Sequence, residues 1–265
     1  MKTELLKILR ESDGYVSGHQ LCERFHVSRT AVWKVIQQLK EEGYEVEAVK
    51  NRGYRIMTTP DVITAEEISS RLHTNWMAEN CIYLESVDST NNYAKRIAED
   101  GTPSGTLVVA DEQTGGKGRR GRSWSTPKGS NIAMTLLLRP RFRPEHASRM
   151  TLLAAMAVTC GIRRVTGLDA GIKWPNDVVV NGHKVCGILT EMNTEVDYIN
   201  YVVIGIGINV NQKEFPEEIR KIAGSLCLEA GKQIGRAALI AAIMEELERI
   251  YEIFQKTEDL SGLYE

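Results

Sequence analysis

The sequence predicts an α+β protein in two parts: a winged helix-turn-helix unit over residues 1–60 and a larger α+β domain over residues 61–265. Three observations support this. The first 57 residues contain three short amphipathic helical segments followed by a β-hairpin pattern. In the remainder, strand-like segments outnumber helical ones. The pair Asn181-Gly182 marks a tight hairpin turn, so we expect a mixed, largely antiparallel sheet.

Helix signals are clear near the N-terminus. Ser17, with Gln20 three residues later, has the spacing of a capping box and predicts a second helix that runs to Phe25. Ser28 caps a third helix, for which Gly43 is the expected C-terminal stop. The inward faces of the first and third helices combine these apolar residues: Leu5, Leu6, Ile8, Leu9, Val32, Val35, Ile36 and Leu39.

A two-stranded wing follows, with strands at 44–49 and 54–57 joined by a turn at 50–53. This order of helices and wing is a DNA-binding layout, in which the third helix enters the major groove. Its outward face would carry Arg29, Thr30, Trp33, Lys34 and Gln37, and the wing would carry Lys50 and Arg52. The alternative is a three-helix docking module whose charged face is only solvated. This alternative stays open because residues 1–60 hold ten Lys or Arg against eight Asp or Glu, a net charge of only +2.

The segment 58–61 has the composition of a linker, and Thr64 with Glu67 then predicts a helix that opens the second domain. Beyond it, strands are predicted at 81–85, 106–113, 131–138, 171–174, 178–191 and 198–210, and helices at 89–99, 146–165 and 234–254.

Composition excludes several classes of protein. The chain has 265 residues, of which 42% are hydrophobic and 26% charged, so it is an ordinary globular protein rather than a disordered one. Its net charge of −2 is too small to indicate that the chain as a whole binds a polyanion. The longest mainly apolar run, 150–162, is too short for a membrane span, which needs about 20 residues.

Cysteine usage indicates the compartment. Five cysteines form an odd set, and the closest two, Cys160 and Cys186, are 26 positions apart, which fits neither a disulfide framework nor a zinc site. The N-terminus shows no signal-peptide pattern. We therefore expect a reduced, cytoplasmic protein.

The segment Gly116-Lys117-Gly118-Arg119-Arg120-Gly121 matches G-x-G-x-x-G, but its context excludes a dinucleotide site because no helix opens after it. A kinase loop is excluded because the other kinase motifs are absent from the sequence. What remains is a glycine-rich loop with four cations in six residues, 117–122. Such a loop can fold around a phosphate or carboxylate. An exposed basic loop without a ligand, or a nucleic-acid patch, is the alternative.

Three further clusters favour a ligand site. The segment 88–91, Asp-Ser-Thr-Asn, places short polar side chains at a strand-to-helix junction, although a plain N-cap would look the same. Lys173 lies at the end of an otherwise apolar strand, where a buried lysine would need an anion. The segment 205–209, Gly-Ile-Gly-Ile-Asn, leaves backbone open to close approach by a ligand, or marks a bulge.

Together, the segments 88–91, 113–122, 173–177 and 205–209 resemble those of bacterial biotin protein ligases. With the predicted winged helix in front, the whole chain resembles the bifunctional kind that also represses the biotin operon. The loop motif combined with Lys173-Trp174-Pro175-Asn176-Asp177 makes this resemblance specific.

The resemblance implies a two-step reaction in the α+β fold of biotin and lipoate ligases. The carboxylate of biotin attacks the α-phosphate of ATP, with Mg²⁺, to give biotinyl-5′-AMP and pyrophosphate. A lysine amine on the biotin carboxyl carrier protein of acetyl-CoA carboxylase then attacks that anhydride. The implied partners are this carrier protein, operator DNA and a second copy of the chain in a ligand-promoted homodimer, with no membrane.

The resemblance also assigns residues. For biotin it implies Ser89, Thr90, Asn91, Gln113, Lys117, Gly118, Arg119 and Lys173, of which Arg119 and Lys173 would be catalytic. For the nucleotide it implies Arg119, Arg122, Trp124, Asn176 and Asn209, with Trp124 packed on the adenine. No metal ligands are assigned. Lys117 stands where many members have arginine, and it would keep the charge but lose the two-pronged contact.

Members of this type usually carry a small C-terminal β domain, and it is expected to be missing from this sequence, which stops at Glu265 just after the last predicted helix. Either the given sequence is truncated or the protein works without that domain. Two alternative functions stay open. A ligand-sensing transcription factor would bind a small acid without chemistry, but it would not need paired cations. A lipoate ligase would share the catalytic fold, but the loop pattern and the winged helix disfavour it.

Overall fold

The computed structural model describes residues 1–260 and 262, and the chain divides into two compact units, Met1–Arg71 and Leu72–Glu265. The first unit contains the three helices and the hairpin predicted for it, together with a fourth helix that was predicted for the second domain. These are α1 (Lys2–Glu11), α2 (Gly18–Phe25), α3 (Arg29–Glu41), β1 (Glu45–Val49), β2 (Gly53–Thr58) and α4 (Ala65–Ser69).

Local capping fixes the helix boundaries in this unit. Ser17 and Gln20 form a complete capping box, with backbone-to-side-chain bonds of 3.1 Å in both directions. The Ser28 hydroxyl accepts from the Ala31 N–H at 3.2 Å. The predicted inward residues are buried, except Ile8, which is half-buried against the same core. The predicted helix-turn-helix and hairpin are therefore present.

The wing requires glycine at its entry. β1 and β2 pair antiparallel, and an isolated bridge joins Val16 to Tyr54 at the start of β2. Gly53 has φ +119°, and a Cβ there would lie 1.9 Å from the Val16 carbonyl oxygen. A larger residue would push the wing away from the helices.

Helix α4 lies in the first unit, which ends at Arg71, eleven residues beyond the predicted boundary after residue 60. Glu67 on α4 is 1% exposed and anchors the helix. Its carboxylate accepts from Arg10 at 2.6 Å, from the Tyr44 hydroxyl at 2.6 Å and from Arg71 at 2.9 Å. Burial raises the pKa of Glu67, but the Arg10 guanidinium, Tyr44 and Arg71 outweigh it and leave the pKa below its ordinary value of 4.5.

The second unit is built on one seven-stranded sheet. Its elements are β3 (Cys81–Val87), α5 (Thr90–Glu99), β4 (Thr106–Gln113), β5 (Ile132–Leu138), α6 (Arg149–Thr166), β6 (Ala170–Lys173), β7 (Asp177–Val180), β8 (His183–Thr194), β9 (Ile199–Ile208), α7 (Leu226–Ala230) and α8 (Arg236–Thr257), with short 3₁₀ turns at Arg119–Gly121 and Pro144–His146.

The strand order is β3-β4-β5-β9-β8-β7-β6. Only the β3–β4 pair, which is joined through α5, is parallel; the other neighbours are antiparallel. The predicted mixed, largely antiparallel sheet is therefore correct. Asn181 and Gly182 both have positive φ, as the tight turn between β7 and β8 requires.

Helices cover the sheet. α5 packs through Ala94 and Ala98 on β4, β5 and β9. α6 and α8 pack closely, since a Cβ on Gly161 would lie 2.6 Å from the Ile243 side chain. Among the described residues, no helix is both long and apolar enough to cross a membrane.

Glu67→Gln should lower the free energy of unfolding of the first unit by about 3 kcal/mol at pH 7, because it leaves a buried set of donors without its charge. Since the folded pKa is lowered, the stabilising effect of Glu67 is present above its ordinary pKa and is lost as pH falls through the folded pKa. The difference between wild type and variant should therefore shrink in acid.

Urea unfolding followed by fluorescence measures this effect, with Trp33 as the tryptophan of the first unit. Glu66→Gln, on the half-exposed neighbour, is the matched control. A variant as stable as wild type at pH 7 would show that Glu67 does not hold α4.

Candidate functional site

One cavity in the second unit brings most of the predicted site residues together. Its floor is formed by strands β5, β8 and β9, and its walls by the first turn of α5 and the glycine-rich loop. The predicted residues that line it are Ser89, Thr90, Asn91, Gln113, Lys117, Gly118, Arg119, Trp124, Asn176, Gly205 and Gly207.

Two glycines of β9 make room for protein side chains. A Cβ on Gly205 would lie 2.2 Å from the Asn91 Oδ1 atom, and a Cβ on Gly207 would lie 2.4 Å from the Trp124 indole. Sequence reasoning predicted that these positions leave room for a ligand. In the structure, the space directly above them is filled by Asn91 and Trp124.

The first turn of α5 supplies a buried polar surface. Ser89, Thr90 and Asn91 are 2–4% exposed, and Ser89 is the N-cap. The Gln113 Oε1 atom at the end of β4 accepts from the Thr90 N–H at 2.9 Å, and the Gln113 side chain donates to Thr126 at 3.3 Å. Gln113 is therefore held in place beside the helix terminus.

Asn91 is fully engaged within the protein. Its side-chain N–H groups donate to Glu191 at 2.8 Å and to the Leu189 carbonyl at 3.2 Å, and its oxygen accepts from the Thr135 hydroxyl at 2.7 Å. Asn91 therefore has no free N–H group to donate to a ligand in the cavity.

The glycine-rich loop carries exposed cations that are held by neutral amides. The Lys117 ammonium donates to Asn92 at 3.1 Å, and the Arg119 guanidinium donates to Asn176 at 3.0 Å. Gly116 is required under this loop, because a Cβ there would lie 2.3 Å from the Trp124 carbonyl oxygen. At these two contacts neither cation is paired with an acid.

Arg122 lies on the other side of this loop. With Arg120, Leu189 and Glu191 it borders a second, open concavity and does not line the main cavity. Its predicted contact with a nucleotide stays a prediction.

Trp124 and Lys184 form the far wall. The Trp124 indole lies against Gly187 and Gly207, and its buried Nε1 atom has no hydrogen-bond partner among the described residues. The Lys184 ammonium lies 5.6 Å from the ring centroid and 2.7 Å from the Asp177 carboxylate. A cation is thus fixed beside an aromatic ring inside the cavity.

Lys184 is a residue that sequence reasoning missed. It lies in a mostly apolar strand, two residues after the Asn181-Gly182 turn, so the criterion applied to Lys173 also selects it. Lys173 itself is exposed and does not line the cavity, which makes the expectation of a buried lysine wrong. The reason is topological: Lys173 is the last residue of β6, the edge strand, so its side chain reaches solvent.

Asn176 and Asn209 differ in position. Asn176 lines the cavity and donates to the Ile188 carbonyl at 3.0 Å while it accepts from Arg119. Asn209 is buried outside the cavity lining, and its side chain donates to the Gly224 carbonyl at 3.0 Å. In this structure Asn209 therefore anchors the segment that precedes α7.

The first unit presents the predicted DNA-facing residues on its surface. Arg29, Thr30 and Lys34 are exposed on α3. Arg29, Lys50 and Arg52 border one concavity between α3 and the wing. The Arg52 guanidinium lies 5.3 Å from the centroid of the Tyr15 ring. The Tyr15 hydroxyl donates to Glu47 at 2.6 Å, so the ring that Arg52 contacts is held in place.

Comparison with known proteins matches both units. A family model described as the biotin/lipoate A/B protein ligase family matches residues 83–209, and an HTH domain model matches residues 2–55. The bifunctional ligase/repressor BirA of Bacillus subtilis is 43% identical over 254 residues, which is 95% of this chain and 78% of that protein. This chain belongs to the biotin protein ligase family, of the bifunctional ligase/repressor type.

Other members of the family agree. The BirA of Escherichia coli is 31% identical over 96% of this chain and 77% of its own length. The structure of the Aquifex aeolicus biotin protein ligase in complex with biotin and ATP has a TM-score of 0.61 and 32% identity over 71% of this chain and 77% of that chain. The predicted family and fold are confirmed.

Gly205→Ala should destabilise this family member by about 1–3 kcal/mol, because the added methyl group collides with Asn91 in a fully packed region. Differential scanning calorimetry measures the shift. Gly171→Ala is the matched control, since it is also in a strand and its added Cβ meets nothing within 4 Å. Equal melting temperatures for the two variants would contradict this packing argument.

Proposed function

We propose that this chain activates biotin with ATP to biotinyl-5′-AMP and transfers biotin to a lysine of a biotin carboxyl carrier protein, that of acetyl-CoA carboxylase. We further propose that the ligand-bound form represses biotin genes through operator DNA. The observation that carries the enzymatic part is the cavity itself: buried neutral hydrogen-bonding groups lie at one wall, and cations lie along the loop and at the far wall.

The neutral wall suits the ureido ring of biotin. Ser89, Thr90 and Gln113 offer uncharged donors and acceptors that are already positioned by α5 and β4. A cyclic urea has both N–H donors and a carbonyl acceptor, so it can satisfy such a surface without a charged partner. Asn91 packs beside this wall, and Gly118 and Lys117 cover it.

The cations suit the reacting groups. A carboxylate oxygen of biotin attacks the α-phosphorus, a new P–O bond forms, and the bond to pyrophosphate breaks. Negative charge meets negative charge in this step, so fixed cations provide the main assistance. Arg119 and Lys184 line the cavity where both anions would lie, and the exposed Lys173 is the further cation that the family resemblance assigns to this step.

The nucleotide would extend from this region past Trp124 and Asn176, with Arg122 on the outer side of the loop and Asn209 behind the wall. Mg²⁺ would arrive as part of the ATP substrate, held by phosphate oxygens, since it favours phosphate with few protein ligands. No cluster of three or more His, Cys, Asp or Glu that could hold a metal ion occurs in the described part of the chain.

The deciding experiment is incubation with biotin, ATP, Mg²⁺ and a biotin carboxyl carrier domain, followed by intact mass. We expect one biotinyl group on the carrier domain. Lipoate in place of biotin tests the lipoate-ligase alternative. Isotope exchange between pyrophosphate and ATP tests the alternative of a ligand-sensing transcription factor, which would bind the acid without catalysing this exchange. No mass shift together with no exchange would refute the ligase.

Lys184→Met should reduce the rate of biotinyl-5′-AMP formation by about 10²–10³, the effect of removing one charge partner of a transition state. Lys173→Ala should also slow this step, because the family resemblance assigns Lys173 to the reacting carboxylate and phosphate. Single-turnover formation of the adenylate measures both. Lys128→Met, which removes an exposed ion pair with Glu85, is the control. A folded Lys184→Met enzyme with a normal rate would remove Lys184 from the mechanism.

Arg52→Ala should weaken binding to duplex DNA and lower the slope of log affinity against log salt by about 0.9, the value for one phosphate contact. Lys50→Ala should do the same. Arg55→Ala is the control, because this exposed arginine of β2 does not border the concavity beside α3. Fluorescence anisotropy at four salt concentrations gives the slopes. An unchanged slope in both wing variants would place the wing away from DNA.

Operator binding is proposed to require a homodimer that the adenylate promotes, because two winged helices at fixed spacing bind DNA more tightly than one. Ordering of the glycine-rich loop by the ligand would reduce the entropic cost of dimerisation. Sedimentation velocity with biotin and ATP should show a shift from monomer to dimer. The same protein without biotin is the control, and an unchanged dimer constant would refute the coupling.

A cytoplasmic location is also proposed, and it is supported by the odd number and wide spacing of the five cysteines, which fit no disulfide framework.

A further inference from the structure

A chain of short hydrogen bonds leads from Glu191 on β8 to Thr90 on the cavity wall. The Glu191 carboxylate accepts from the Asn91 side chain at 2.8 Å and from the Lys95 ammonium at 2.8 Å. The Asn91 oxygen accepts from the Thr135 hydroxyl at 2.7 Å. The Thr135 oxygen lies 2.8 Å from the Thr90 hydroxyl oxygen. Of these residues, only Thr90 and Asn91 line the cavity.

The carboxylate fixes the direction of the first two bonds. Glu191 is ionised at neutral pH: burial raises its pKa, but Lys95 and Asn91 outweigh this and keep the pKa below its ordinary value. An ionised carboxylate can only accept, and so can the Leu189 carbonyl, which is 3.2 Å from the same Asn91 nitrogen. The Asn91 nitrogen must therefore face β8, and its oxygen must face Thr135.

The orientation of Asn91 then determines the two hydroxyl groups. Thr135 has one hydroxyl hydrogen, and that hydrogen is donated to the Asn91 oxygen. The 2.8 Å contact between the two hydroxyl oxygens then contains a hydrogen bond only when Thr90 is its donor, and the Gln113 oxygen at 3.1 Å is the other protein acceptor within reach of the Thr90 hydroxyl. In both cases the Thr90 oxygen can offer a ligand only a lone pair.

We propose that Glu191 is a positioning residue that acts through Asn91 and Thr135 to make Thr90 an obligatory hydrogen-bond acceptor, so that the cavity selects ligands with a ring N–H group. This inference rests on the proposed binding of biotin in the same cavity. It adds a specificity determinant, Glu191, that would not itself contact the ligand.

The test compares the full-length wild type with Glu191→Gln, Thr135→Val and the double variant. A glutamine amide can donate as well as accept, so the Leu189 carbonyl, at 3.2 Å, is left as the one group that can only accept from the Asn91 nitrogen. Asn91 can then turn in part of the molecules, and in those Thr90 can become a donor. We expect Glu191→Gln to weaken biotin binding by about 3- to 10-fold, the range for one neutral hydrogen bond, with kcat for adenylate formation within twofold of wild type. Calorimetry with biotin alone gives the affinity, and initial rates give KM and kcat.

Two measurements separate this role from a general structural one. Glu191→Gln should have no further effect in the Thr135→Val background, because the route to Thr90 is already broken. Two carbamate analogues of biotin, each with oxygen in place of one of the ring N–H groups, test the acceptor role of Thr90. We expect wild type to bind one of these two analogues at least 10-fold more weakly than biotin. This preference should fall at least threefold in Glu191→Gln and in Thr135→Val.

The control is Glu99→Gln, because Glu99 also accepts from a neutral donor, the Tyr201 hydroxyl at 2.8 Å, but lies outside the cavity lining. It should bind biotin and both analogues as wild type does. If Glu191→Gln fails to fold, the analogue preference of Thr135→Val decides the question. An unchanged preference, or equal effects of Glu191→Gln in both backgrounds, overturns the inference, whereas failure of wild type to bind biotin overturns the proposed function instead.

Discussion

One buried amide, that of Asn91, holds the first turn of α5 to the central sheet, and the shape of the candidate site depends on it. Asn91 accepts from Thr135 on β5 and donates to Leu189 and Glu191 on β8. Between these two strands lies β9, where Gly205 leaves room for the side chain. A single residue thus spans three adjacent strands, and its neighbours Ser89 and Thr90 are placed with it.

The cations of the site are held in two different ways. Arg119 and Lys117 of the loop are held by neutral amides, so their charge is not compensated by an acid at those contacts. Lys184 is paired with Asp177 and lies beside Trp124. Loop cations of the first kind attract an anion most strongly, whereas a paired lysine is already fixed in orientation before the anion arrives. The site therefore combines exposed loop cations, which attract an anion, with a lysine in the far wall that is already held in position.

The sequence was sufficient for features that depend on neighbouring residues. The capping box at Ser17, the turn at Asn181-Gly182 and the apolar faces of α1 and α3 all formed as predicted, since each is decided within a few residues. Four segments of the candidate site were also found, because glycine and lysine are unusual within strands and because the four segments together resemble those of biotin protein ligases.

Other features depended on topology, which the local pattern does not contain. Lys173 and Lys184 both lie in strands with apolar neighbours, and only the strand order shows that one is at the sheet edge and the other inside the cavity. Glu191 gave no signal, because a glutamate near the end of a strand is ordinarily a solvated residue. Its significance comes from Asn91, which is 100 residues away in the sequence.

Helix α4 shows how the same problem affects the boundary between the two units. Its cap at Thr64 was predicted, but its partners Arg10 and Tyr44 are distant in sequence, so the pattern assigned it to the second domain. If residues 1–60 were removed, Glu67 would keep Arg71 but lose Arg10 and Tyr44, and the apolar face of α4 would lose its packing. A variant that starts after Arg71 avoids this unpartnered carboxylate. A biotin ligase lacking residues 1–71 should therefore be more soluble and more stable than one lacking residues 1–60, and the melting temperatures of the two shortened proteins would show it.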